Sequence, residues 1–270
     1  MGLVGEAKRR KQNAALASTM DAEQGEKVLR QAYQNTCRAF DVYPDNIVDA
    51  LIASYAGRNA SLDLVARNNP QGVVAFRAGC SACCHQMVLC SPFEIFILAQ
   101  LLLSTRTDDE LASIERRLSE ISKLPLNPDA RYGSHATCPL LVDNQCSVYD
   151  RRPAVCRALF SNSRERCEQA LAGGAGDVAF LVHPKLISSA LQVGIDSALH
   201  VKRGLNTELA EMCGSLLVAL RDFDASLSVW LDGGIHFRFS TRSETVHRQM
   251  LSSWRTSRLD WGFEVERPPP

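Results

Sequence analysis

Nothing in this sequence is long and apolar enough to cross a bilayer. Its most apolar run, residues 93–103, has eleven residues and holds Glu94 and Gln100, against roughly 20 for a membrane helix. Net charge is missing too: 30 basic and 30 acidic residues cancel. The balance gives no general reason to expect nucleic acid or an anionic membrane as partner. The opening, MGLVGEAKRRKQNA, lacks the apolar stretch of a secretion signal. Glu6 stands where a myristoylation signal carries Ser or Thr. A reducing cytoplasm is therefore the expected compartment. There is no internal repeat and no Gly-rich loop of the phosphate-binding or Rossmann kind.

The chain does hold enough apolar residue, 46% of 270, for a sizeable core. Most of its patterning is helical. Val28, Leu29, Ala32 and Tyr33 repeat at helical spacing behind an Asp21/Gln24 capping box. Ile47, Ala50, Leu51 and Tyr55 continue the pattern after Pro44. Ser91, Pro92 and Glu94 mark the start of a helix over 92–104 that is apolar nearly all round, hence buried. Thr107 and Glu110 open a charged, amphipathic helix over 108–123. His183 and Pro184 open another, closed by Gly204, and Asn206 caps a helix over 207–221. A last helix is expected over 243–254. Residues 127–153 show no sustained period and read as loops with one hairpin at Asp143-Asn144. The expectation is a mainly α fold: a flexible tail over 1–20, one helical domain over 21–265 wrapped around an irregular cysteine centre at about 76–170, and a disordered end over 266–270.

Cysteine is the excess. Eight of the ten fall between Cys80 and Cys167. In a reducing compartment such clustering reads as metal ligands or redox thiols. Cys80-Ser81-Ala82-Cys83 is a C-x-x-C, whose two thiolates converge on one metal or one cluster edge. Gly79 lets the backbone wrap. A thioredoxin-like redox pair needs a βαβ context that this chain lacks. Cys138, Cys146, Cys156 and Cys167 supply the distant thiolates. Closing a loop of about fifty residues costs a few kcal/mol, whereas a structural zinc returns roughly 10 kcal/mol or more. Cys37 and Cys213 lie on apolar helix faces and read as core. His200, His236 and His247 have no partner at ligand spacing.

The order C-x-x-C-C, then Cys138-Pro139-Leu140-Leu141, then Cys146-Ser147-Val148-Tyr149-Asp150-Arg151-Arg152-Pro153-Ala154-Val155-Cys156-Arg157 resembles the bacterial YkgJ-like cysteine-cluster family. That family is described as a proposed zinc- or iron-chelating domain, and flagellin lysine N-methylases carry a similar module. The resemblance spans residues 76–167 and implies Cys80, Cys83, Cys84, Cys138, Cys146, Cys156 and Cys167 as metal-ligand candidates. Arg152 and Arg157 match the motif and, with His85, are candidates to support the ligands. The family's usual C-x-x-C-x-x-C-C would place its first cysteine at Arg77, so either the site uses one ligand fewer or His85, Cys90 or His135 substitutes.

Zinc prefers four ligands from paired C-x-x-C units. Only one such unit is present, and the remaining cysteines are irregularly spaced, which a cubane tolerates better. A [4Fe–4S] cluster is therefore the expected cofactor, with zinc the alternative. The expected role is metal binding in electron transfer, sensing or metal assembly. One alternative is an iron–sulfur-dependent protein-modifying enzyme such as a lysine N-methyltransferase. Another is a structural zinc module that binds a protein partner.

Overall fold

The computed structural model describes residues 22–68, 79–173, 181–234 and Phe237. The tail over 1–20, Asp21 of the first capping box, Arg77, the expected 243–254 helix, the 266–270 end, His236 and His247 lie outside these. The described residues are mainly helical, and no described helix is long and apolar enough to cross a membrane.

Two long helices open the described chain, α1 (Ala22–Val42) and α2 (Ile47–Arg67). Asn46 starts α2 by accepting the Asp49 N–H at 3.1 Å. Helix α1 packs most extensively on α8 (Val182–Arg203). The two backbones nearly touch at Gly194, where an added Cβ would stand 2.4 Å from the Leu29 carbonyl oxygen and 2.7 Å from Ala32 Cβ. Only glycine fits such an approach.

Helix α3 (Pro92–Thr105) is the core element. Its Ser91/Glu94 capping box forms as expected, and Pro92 through Ala99 are buried. Phe96 is fully buried against Phe223, Trp230 and Phe237, with ring centroids 5.9, 5.2 and 5.3 Å away. Helix α4 (Asp108–Ser122) carries the Thr107/Glu110 box. Both run against α9 (Met212–Arg221), and α10 (Phe223–Leu231) covers α3.

Among the described residues the strands are four short pieces. β1 (Leu89–Cys90) pairs antiparallel with β4 (Ala210–Glu211), Leu89 facing Glu211 and Cys90 facing Ala210. β2 (Leu141–Val142) and β3 (Gln145–Cys146) form the expected hairpin. Its turn residues Asp143 and Asn144 have φ of 48° and 60°, a left-handed pair that Asp and Asn tolerate and that matches strand twist.

Three readings of the sequence change. The helix expected over 207–221 begins at Met212, because Ala210 and Glu211 are extended in the pairing with β1. Glu211, not Asn206, caps it by accepting the Gly214 N–H at 2.7 Å. The cap residue of α8 is Leu181, so His183 sits inside the first turn. The 127–153 stretch holds a short helix, α5 (Pro128–Gly133), opened by Asn127 accepting the Ala130 N–H at 3.0 Å. Short helices α6 (Ala154–Arg157) and α7 (Arg164–Leu171) follow it.

Candidate metal centre

The two cysteine blocks meet through the backbone. Cys83 and Cys84 sit on a 3-10 turn, Ala82–His85, closed by the Cys84 N–H to the Ser81 carbonyl at 2.8 Å. Gly79 enters it with φ of 86°, a conformation that favours glycine. The Cys84 carbonyl then accepts the Cys138 N–H at 2.7 Å, which welds the second block onto the first. The Cys138 carbonyl accepts from Leu141, and Leu141 pairs with Cys146 across the hairpin. Cys156 arrives on α6.

The thiols of Cys80, Cys83, Cys84, Cys138, Cys146 and Cys156 line one cavity of about 50 Å³, together with Tyr149, Arg152, Met212 and Cys213. That space exceeds the roughly 10–15 Å³ that one water needs. The donor set is soft sulfur throughout, which suits zinc or iron and not magnesium or calcium. Among the described residues, no group of three or more His, Cys, Asp or Glu side chains is placed to hold a single metal ion. The thiols share a cavity wall.

Four of them, Cys83, Cys138, Cys146 and Cys156, lie close enough that each feels the other three. Burial pushes Cys138 up to about 11 and raises Cys146 and Cys156 as well. Cys83 runs the other way, down to about 7, first because the Cys84 thiol donates to it and then because Arg152 lies near. The same hydrogen bond raises Cys84. Burial thus keeps most of these thiols protonated until a cation offsets the charge, and metal uptake releases those protons.

Arg152 is the cation in the cavity lining. It is buried, stacks 3.7 Å from the Tyr149 ring centre, and donates through Nε to the Tyr149 carbonyl at 2.9 Å. Its charge favours the thiolates of Cys83, Cys146 and Cys156. Arg157 is also buried but pairs with Asp63 at 2.7 Å and does not line the cavity. Arg164 pairs with Glu168 on the exposed side of α7.

A buried network clamps the loop that carries Cys156. Arg58 pairs with Glu94 at 2.6 Å, both essentially without exposure, and also donates to Gln192 at 2.6 Å. Glu94 accepts the Ala154 N–H, the Tyr55 hydroxyl donates to the Arg152 carbonyl, and Asn59 donates to the Asp150 carbonyl. Helices α2, α3 and α8 therefore hold residues 150–154 in place. Sequence reading missed this network; its one signal was a charged residue, Arg58, on the buried stripe of Tyr55 and Leu62.

The remaining candidates sit outside the lining. Cys167, on α7, packs over the 3-10 turn near Cys80. Burial raises the Cys80 thiol most, with Cys83 and Cys167 adding to it. Cys90 is buried in β1 off the cavity. His85 is tied through Nδ1 to the His135 carbonyl at 3.0 Å, and neither ring lines the cavity. Cys37 is partly buried on α1 against the core, as its helix face implied. Cys213 is buried too, but at the cavity's inner wall, which the sequence did not reveal.

Residues 77–171 match the family model CxxCxxCC, described as a proposed zinc- or iron-chelating domain. This segment, about a third of the chain, is similar to the CxxCxxCC cysteine-cluster domain. No curated protein and no solved structure matches the chain. The module's boundaries enclose all seven ligand candidates, while Cys213 and the clamp residues Tyr55, Arg58 and Gln192 lie outside it.

Proposed function

We propose that the module holds a [4Fe–4S] cluster on thiols drawn from Cys80, Cys83, Cys84, Cys138, Cys146, Cys156 and Cys167, in a protein of electron transfer, sensing or metal assembly. The observation that carries this reading is the shared cavity: six cysteines from distant parts of the chain line one space. Arg152 would offset the negative charge of the thiolate-bound group, and burial would shield that group from water. The cluster, when bound, would supply one-electron redox chemistry; the chain's own residues hold, screen and charge-balance it. The module is built into the helical domain, since β1 pairs with β4 and Glu94 clamps Ala154.

A second reading is structural zinc on Cys83, Cys138, Cys146 and Cys156. Their common place on the cavity wall favours it, because a closed zinc site takes four thiolates, and these side chains would have to close in to share one ion. Anaerobic purification separates the two. The cluster gives brown protein with iron and acid-labile sulfide in equal amounts. Colourless protein with one zinc per chain would establish the second reading, and protein with neither metal would sink both.

A further inference from the structure

We propose that Cys213 is a further thiolate ligand of this centre, supplied by the helical part of the chain from outside the CxxCxxCC segment. The inference rests on the reading that the cavity holds a metal. Cys213 lines that cavity beside Cys138 and is only 3% exposed.

Its position is fixed from the module side. The Met212 N–H donates to the Val88 carbonyl at 2.9 Å, and Glu211 faces Leu89 in the β1–β4 pair. The start of α9 is therefore locked to the strand that leaves the Cys83-Cys84 turn.

Two features beside the sulfur favour its metal-bound, thiolate form. Arg131, 4% exposed, donates through Nη2 to Cys213 Sγ at 3.4 Å and through Nη1 to the Ile121 carbonyl at 3.0 Å. It makes no ion pair among the described residues, and a buried guanidinium needs a counter-charge. A Cys213 thiolate provides one. Cys213 also stands in the first turn of a ten-residue helix, where the backbone N–H groups favour negative charge. On the other side lies Glu211, 2% exposed, whose Oε2 caps the helix; burial first, and the Glu211 carboxylate after it, hold the free Cys213 thiol well above its ordinary range. A buried carboxylate and a thiolate side by side repel each other. A cation bound to the sulfur would offset that repulsion. As the sulfur–metal bond forms, the thiol proton leaves to solvent and nothing is oxidised or reduced.

The test uses the full chain loaded with its own metal and, separately, with Co(II). Cys213→Ala and Cys213→Ser should lower bound metal and weaken the sulfur-to-metal charge-transfer bands. Arg131→Gln should keep the ligands but weaken metal affinity by roughly 10–100-fold, as loss of an outer partner does. Cys90→Ala, buried off the cavity, should leave metal and spectrum unchanged. Should the Cys213 variants not fold, the unaltered chain decides. Chelation should make Cys213 reactive to a small alkylating agent along with Cys138, while Cys90 stays protected. The proposal is overturned if Cys213 variants keep full metal with unaltered bands, or if Cys213 behaves as Cys90 does on chelation. Metal retained by Cys156→Ser as well would overturn the metal-centre reading itself.

Discussion

Glu94 Oε1 accepts the backbone N–H of Ala154 at 2.7 Å, two residues before Cys156. The same oxygen pairs with the buried Arg58 at 2.6 Å. One carboxylate thus balances a buried cation and fixes the backbone that presents a thiol. Glu94→Ala should cost about 3–5 kcal/mol, because it leaves Arg58 buried and uncompensated. Arg58→Met combined with Glu94→Leu should recover much of that loss, since an apolar pair carries no buried charge. Urea unfolding of the variants checks both outcomes; a Glu94→Ala loss below about 1 kcal/mol would show the pair to be solvated.

Asp196 gives a pH signature. Burial lifts its carboxyl to about 8; Glu94 adds to the rise, while Ser91, Gln192 and Arg58 oppose it. Its unfolded value is roughly 3.9. The folded state therefore holds the proton more tightly, and stability contributed by this group is present below about pH 4. It is lost as pH rises through the folded value near 8. Asp196→Asn should flatten the stability profile over that window. Denaturation midpoints from pH 4 to 9 measure it, and an unchanged slope in the variant would refute the assignment.

Ligand thiols and packing thiols should separate cleanly. Cys83→Ser and Cys156→Ser are each expected to lose most of the metal, because a shell missing one thiolate is incomplete. The double variant should lose little more, as members of one shell are strongly non-additive. Cys37→Ser should keep its metal and cost about 1 kcal/mol for a hydroxyl near the core. Metal content of the four proteins is the measurement. Additive losses in the double variant would place the two thiols in different sites.

Metal removal should act locally first. The β2–β3 hairpin is two residues per strand and borders the cavity through Cys146, so it has little of its own to hold it. Helix α3 is buried along most of its length. On chelation, amide exchange at Leu141–Cys146 should speed up well before exchange in α3 does. Equal protection of the hairpin with and without metal would mean that the helical packing alone orders it.

The helices were legible because capping and periodicity are local. Ser91 with Glu94, Thr107 with Glu110 and Gly204 each form the start or stop that their chemistry implies. The Asp143-Asn144 hairpin was legible for the same reason. The start of α9 was not, because Ala210 and Glu211 are held extended by Leu89 and Cys90, about 120 residues earlier. A pairing that distant leaves no local trace. The same holds at the cavity. The module's seven ligand candidates stand out by clustering and by their motif, whereas Cys213 sits in a leucine stripe that is equally good core sequence. Arg131 gave no warning either, and Arg58 only its place on an apolar stripe, since their partners come from other helices.

The glycine notch between α1 and α8 has a consequence for synthesis. Helix α1 cannot dock until residue 194 exists, because its closest partner is Gly194 itself. Chains are made from the N-terminus, so every cysteine of the module emerges before that docking is possible. In a chain made in that order the α1–α8 packing is a late event, formed only after all the module's cysteines are on the chain.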